Sequence, residues 1–193
     1  MNTKKVKKRY LESVLMEAQA LTNLAESFGH NDSFKVLDIG CGIAGYHRDW
    51  LRSRSNSNDH LYLLDSNNFH LSALAYGHGD SKRYYNSLNL AKYFIMQDND
   101  FTTNIKLLDI AKSHDFPLQI DLVVSFVSWG FHYPLSLYWE RVLASTKLSG
   151  CIIVDIRKDS ESERFLLLCT GIKSKIVYEN AKFNRVLITK VAM

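Results

Sequence analysis

The sequence predicts a doubly wound α/β fold: seven strands in a mostly parallel sheet, with helices on both faces. Three observations predict it. The apolar run Val36-Leu37-Asp38-Ile39 breaks into Gly40, Gly42 and Gly45, and a helical stretch follows. Further short apolar runs then alternate with helical patterns, as parallel βαβ units require. The last two runs, 173–178 and 185–191, have no helix between them and must pair antiparallel as a hairpin.

The N-terminal stretch, 3–28, reads as one added helix. Val6, Tyr10, Val14, Ala18, Leu21, Ala25 and Phe28 recur at three- and four-residue steps, and Gly29 stops it. It is expected to pack on the core. Strand one is 35–39, and the helix after the glycines covers 46–51. Residues 52–59 are rich in Ser and Asn and read as a loop. Strand two is 61–65. The stretch 66–86 lacks a clear period but holds Tyr76-Gly77-His78-Gly79-Asp80 and Tyr84-Tyr85-Asn86. An irregular stretch of that length in a compact domain is expected to be a functional loop. A helix over 87–97 places Leu88, Ala91, Phe94 and Ile95 on one face.

Strand three is 104–108, followed by Asp109 and Ile110. Strand four, 121–127, is apolar on both faces, as a central parallel strand should be. Pro134 suits the first turn of a helix running to 147. Gly150 marks a turn into strand five, 151–156. Ser160 and Glu163 have capping-box spacing for the next helix, which ends near Gly171.

Composition bounds the rest. The chain has 193 residues, 46% hydrophobic and 23% charged, enough for one core and short for a two-domain dehydrogenase. It reads as a single domain, with the helix in 1–29 and the core in 30–193. The net charge of +4 owes much to Lys4, Lys5, Lys7, Lys8 and Arg9, which read as a solvated helix start. The three cysteines have no metal-type spacing, so neither a disulfide framework nor a zinc site is expected. No apolar stretch is long enough to span a membrane, and no secretory h-region is seen. A soluble cytoplasmic protein is the expectation.

Candidate chemistry gathers at the carboxyl ends of the strands, where open α/β sheets bind ligands. The spacing G-x-G-x-x-G at Gly40, Gly42 and Gly45, with Cys41 inside it, makes a nucleotide-cofactor loop. Asp65, twenty residues after Gly45, is placed to hold ribose hydroxyls. Nicotinamide enzymes share these features. Asp38 discriminates, because a carboxylate there repels a pyrophosphate but accepts from an ammonium or water beside a cationic ligand.

The pattern resembles motif I of class I S-adenosylmethionine-dependent methyltransferases, whose Rossmann-like sheet ends in the same hairpin. The resemblance implies S-adenosylmethionine as cofactor. Asp38, Gly40, Cys41, Gly42, Gly45, Asp65 and Ser66 would surround it, with Ser125 at the end of strand four. An acid at Asp109 would accept from the adenine amino group while Ile110 packs on the ring. Ser125-Phe126-Val127-Ser128 stands where amino methyltransferases carry Asn/Asp-Pro-Pro-Tyr/Phe, which argues against a nucleobase or glutamine nitrogen. No metal is expected, since Asp121 lies at the wrong end of its strand for a carboxylate cluster.

His132 is the candidate general base for an acceptor hydroxyl, because imidazole titrates in the useful range. Asp155 is next in line. Trp129 and Tyr133 offer flat faces suited to a sugar ring. Ser128-Trp129-Gly130-Phe131-His132-Tyr133-Pro134, with Tyr84-Tyr85-Asn86-Ser87-Leu88 and Asp155-Ile156-Arg157-Lys158, resembles sugar O-methyltransferases of cell-surface polysaccharide synthesis. That resemblance implies a small-molecule partner, a sugar or nucleotide-sugar. Arg157 and Lys158 would bind its phosphate, and Tyr85 and Asn86 would line the cleft. The rival readings are an RNA methyltransferase, motivated by the basic N-terminal run, a non-catalytic partner subunit, and a nicotinamide oxidoreductase. The oligomeric state stays open.

Overall fold

The computed structural model describes residues 15–20, 22, 33–42, 44–54, 58–66, 87–97, 104–112 and 115–191. The strands are β1 (Lys35–Ile39), β2 (His60–Asp65), β3 (Asn104–Asp109), β4 (Ile120–Ser125), β5 (Thr146–Arg157), β6 (Ile172–Glu179) and β7 (Phe183–Lys190). They form one seven-stranded sheet in the order β3-β2-β1-β4-β5-β7-β6. Neighbours are parallel from β3 through β5, and β7 runs antiparallel to both β5 and β6. The order reverses between β1 and β4, which places the ligand crevice of such sheets there.

The helices are α1 (Gly45–Arg54), α2 (Leu88–Met96), α3 (Trp139–Ser145) and α4 (Glu161–Leu168), with a 3-10 turn at Leu135–Leu137. Alternation along each strand divides the core in two. Val36, Leu61, Leu63, Leu122, Val124 and Ile153 face Trp50 of α1, Ala91 of α2 and Ala18 of the N-terminal helical segment. Leu37, Ile39, Val123, Ile152 and Val154 face Trp139 of α3 and Phe165 of α4.

Four local outcomes differ from expectation. β4 ends at Ser125, because Val127 turns to a positive φ of 52°, which no strand tolerates. The helix expected over 134–147 is split at Tyr138, whose φ of −120° and ψ of 2° separate the 3-10 turn from α3. β5 starts at Thr146, directly after α3, and its ladder with β4 shifts register between Ile120 and Leu122. Gly150 makes that passage possible, since a Cβ there would lie 2.8 Å from the Ile120 carbonyl oxygen. α1 also runs to Arg54, into the stretch expected as loop.

The caps follow side-chain chemistry. Ser87 Oγ accepts from Leu90 N at 3.2 Å and starts α2. Ser160 Oγ accepts from Glu163 N at 3.3 Å, while the Glu163 carboxylate accepts from Asp159 N at 2.8 Å, one residue before the usual donor of a capping box. Residues 15–20 and 22 are helical, and Ala18 is buried; the rest of the helix expected over 3–28 lies outside the described residues, as does most of the loop expected over 66–86. Among the described residues no helix is long and apolar enough to cross a membrane.

Candidate active site at the carboxyl edge of the sheet

The register of the parallel ladders sets the site. Asp65 pairs with Asp109, and Ile39, just before Gly40, pairs with Leu64. The ends of β1, β2 and β3 therefore bring the glycine loop and two acids onto one edge. Gly40 (φ +73°) and Gly42 (φ +55°) take left-handed conformations that disfavour any other residue. Gly40 has a second reason to be glycine: a Cβ there would lie 1.8 Å from Ser128 Oγ, so the segment after β4 is closed onto the loop. Gly45 opens α1.

Asp65 organises this loop. Its Oδ2 accepts from Gly42 N at 2.8 Å and its Oδ1 from Ser66 N at 2.7 Å. Burial pushes its carboxyl up to about 6, against the pull of those two N–H donors, and nearby Asp38 adds to the rise. Asp109 Oδ1 accepts from Ala111 N at 3.1 Å, and Ile110 N donates to Asp65 O at 3.0 Å, so β2 and β3 turn together. The Cys41 thiol is buried and held far above its ordinary range by burial and by Asp38 and Asp65, which leaves it a packing group rather than a nucleophile.

Asp38 stands near the carboxyl end of β1, where the sequence places it. It is fully buried, and its Oδ2 accepts from Tyr46 Oη at 2.5 Å and His47 Nε2 at 2.8 Å, both from the first turn of α1. Its Oδ1 has no hydrogen-bond partner among the described residues. A buried carboxylate oxygen is costly to leave unpaired, so this atom fits a donor from outside the described residues. Tyr46 and His47 escaped the sequence reading; the signal available was a tyrosine and a histidine immediately after Gly45.

Two predicted residues prove structural. Ser125, expected at the cofactor, is fully buried; its Oγ donates to Ile39 O at 2.8 Å and accepts from Trp129 N at 2.9 Å, which ties the post-β4 segment to β1. Trp129, expected on the substrate, is 1% exposed and donates from Nε1 to Leu135 O at 2.9 Å within the core. The apolar surface of a tryptophan there is worth more in the core than in a cleft.

Asp155, expected as the second candidate base, has its partners within the fold. It is fully buried, and Arg185, its antiparallel partner on β7, grips it through Nε–Oδ1 at 2.7 Å and Nη2–Oδ2 at 3.0 Å. Val127 N donates to the same carboxylate at 3.3 Å. Burial raises the Asp155 carboxyl while Arg185 opposes the rise. With both oxygens engaged, it is not a free base. Arg185 was not foreseen; the signal was an arginine immediately before the apolar run Val186-Leu187-Ile188.

The remaining candidates come together. Ser128 O accepts from the N–H groups of Phe131, His132 and Tyr133 at 3.1, 2.7 and 3.2 Å, and this tight turn presents His132 and Tyr133 at the surface. They form one wall of a cleft of about 550 Å³, with Arg157 and Ser160 on the other. The Arg157 guanidinium lies 5.7 Å over the Phe131 ring and has no carboxylate partner among the described residues. Lys158 is paired with Glu179. Tyr85 and Asn86 lie outside the described residues. Among the described residues no group of His, Cys, Asp and Glu could hold a metal ion.

No protein-family model and no curated protein matches this sequence. Solved structures do. The plantazolicin methyltransferase BpumL, in complex with a monoazolic desmethylPZN analogue and SAH, superposes with a TM-score of 0.61 at 12% identity, covering 99% of this chain and 91% of that one. Magnesium protoporphyrin IX methyltransferase (ChlM) from Synechocystis PCC 6803, with bound SAM, gives 0.59 at 13% identity, covering 100% and 85%. TrmN from Thermus thermophilus gives 0.56 at 19% identity, covering 90% of this chain and 48% of that one. The chain has the Rossmann-like fold of these methyltransferases, with the terminal antiparallel hairpin.

Proposed function

We propose that this protein is an S-adenosylmethionine-dependent O-methyltransferase acting on a hydroxyl of a sugar or sugar-containing metabolite. One observation carries the reading. A glycine loop and the strand-end acids Asp65 and Asp109 share the carboxyl edge of the sheet, and the Oδ1 of buried Asp38 near the end of β1 has no partner among the described residues. The donor set fits the cofactor. Asp65 would accept from ribose hydroxyls and Asp109 from the adenine amino group beside Ile110. Bound there, S-adenosylmethionine supplies an electrophilic methyl group.

The chain's own work is to position an acceptor and remove its proton. His132, exposed in the cleft, is the group that takes the proton of the attacking hydroxyl. A positioned base is worth ~10²–10⁴-fold in rate. Tyr133 offers its ring to the C–H face of a sugar. Arg157, with no carboxylate partner among the described residues, is suited to the phosphate oxygens of an activated sugar. Alignment of the hydroxyl supplies the rest of the barrier reduction.

The test is calorimetric titration with S-adenosylhomocysteine and, in parallel, NADH. Micromolar binding of S-adenosylhomocysteine alone supports the cofactor assignment and leads to a screen of sugar nucleotides with labelled methyl donor. Binding of NADH alone, or of neither, refutes it; the second result favours a non-catalytic subunit.

A further inference from the structure

A second cleft, of about 430 Å³, opens on the sheet face that carries α1 and α2. Met16 and Ala20 of the N-terminal helical segment roof it. Buried Ile153 is its floor, Val177 and Tyr178 come from β6, and Arg185 comes from β7. Its volume lies within the range of small-molecule sites, which are apolar with a few placed polar groups.

Arg185 is the buried polar group of this lining, which also holds the exposed Gln19 at its rim. The residue is only 4% exposed, yet it lines the cleft. Asp155 engages Nε and Nη2, and Nη1 has no hydrogen-bond partner among the described residues. The guanidinium is fixed over the Phe126 ring at 4.0 Å and lies 5.8 Å from the Tyr178 and Phe183 ring centres. A guanidinium carries five N–H groups, so donors remain after Asp155 is served. The charge is a separate matter: Asp155 already balances it. A carboxylate ligand would be placed beside the Asp155 carboxylate and repelled, whereas a neutral oxygen would not.

We propose that this cleft binds a small, neutral, apolar molecule that presents one hydrogen-bond-accepting oxygen to Arg185. The site is separate from the cleft of His132 and does not depend on methyl transfer. It is joined to the glycine loop through contacts: the Phe126 ring under Arg185 meets Tyr46 edge-on at 5.1 Å, and Tyr46 holds Asp38.

Calorimetric titration of the cofactor-free full-length chain with three probes on one ring system tests this: 2-acetylnaphthalene, 2-ethylnaphthalene and 2-naphthoate. The ketone is expected to bind at least about tenfold more tightly than either analogue, the minimum for a hydrogen bond to a charged donor. Val177→Trp, on the half-exposed edge strand, fills the cleft and abolishes ketone binding. Ala20→Phe fills it from the roof and gives the same loss should the first variant fail to fold. Equal affinity for ketone and hydrocarbon, tighter binding of the naphthoate, or no ketone binding overturns the proposal. Unchanged ketone affinity in the filled variants overturns it as well, because the probe is then bound elsewhere.

Discussion

Replacing Asp65 with Asn should remove a defined part of the pH dependence of stability. The Asp65 carboxyl rises from its ordinary 3.8 to about 6 in the folded chain, with burial the largest cause. Folding therefore takes up protons between those values. Stability falls as pH rises through this window, since the native state binds more protons than the unfolded state. At about 1.36 kcal/mol per pH unit, the full gap is worth about 3 kcal/mol. Between pH 4.5 and pH 7 the share lost is about 2 kcal/mol. Urea denaturation of both proteins at these two pH values reads it. The wild type should lose about 2 kcal/mol more than Asp65→Asn over the interval. Other carboxylates titrate in both proteins and cancel in the comparison. Parallel profiles would show that Asp65 is not held protonated by its surroundings, and the reasoning would fail. The same proton opposes ligand binding: an ionised Asp65 is the better acceptor for ribose hydroxyls, so affinity for S-adenosylhomocysteine should drop about tenfold from pH 7.5 to pH 5.

Three further outcomes are expected. His132→Ala should lower turnover ~10²–10⁴-fold with affinity for S-adenosylhomocysteine unchanged, so a wild-type rate or a matching loss of affinity refutes its role as base. Gly40→Ala should be destabilised by more than about 2 kcal/mol, through a positive φ and contact with Ser128; the double variant Gly40→Ala/Ser128→Gly should recover part of the melting temperature, and no recovery would refute the steric account. Asp155→Asn should cost about 3–5 kcal/mol in urea denaturation, because it leaves the buried Arg185 guanidinium without its counter-charge; a loss under about 1 kcal/mol would mean that the pair contributes little beyond packing.

The architecture was legible because its signals are local. β1 begins and ends where the sequence predicts, and the hairpin follows from the missing helix between the last two strands. The glycine loop and Asp65 were legible for the same reason, since strand, turn and acid occur within thirty residues of one another. What failed depends on contacts distant in sequence. Ser125 and Trp129 were read as ligand contacts from their place after β4, but they bond to Ile39 and Leu135. Asp155 looked free until the antiparallel register set Arg185 opposite it, thirty residues away. Strand-end position alone does not say which way a side chain points.

Strand alternation explains which of these residues serve ligands and which serve the fold. Asp38, Phe126 and Asp155 follow Val36, Val124 and Ile153 at steps of two, so they share the sheet face covered by α1. Polar groups on that face are shut from water and must find partners there. Asp38 takes Tyr46 and His47, and Asp155 takes Arg185. His132 lies past the end of β4 and Arg157 is the last residue of β5, and both stay exposed in the cleft. The buried acids thus hold the shape of the loop and the strand ends, while the groups at the end of the ladder and beyond it face the cleft. A general base belongs to the second class. This is the physical reason for placing the proton transfer at His132 rather than at Asp155.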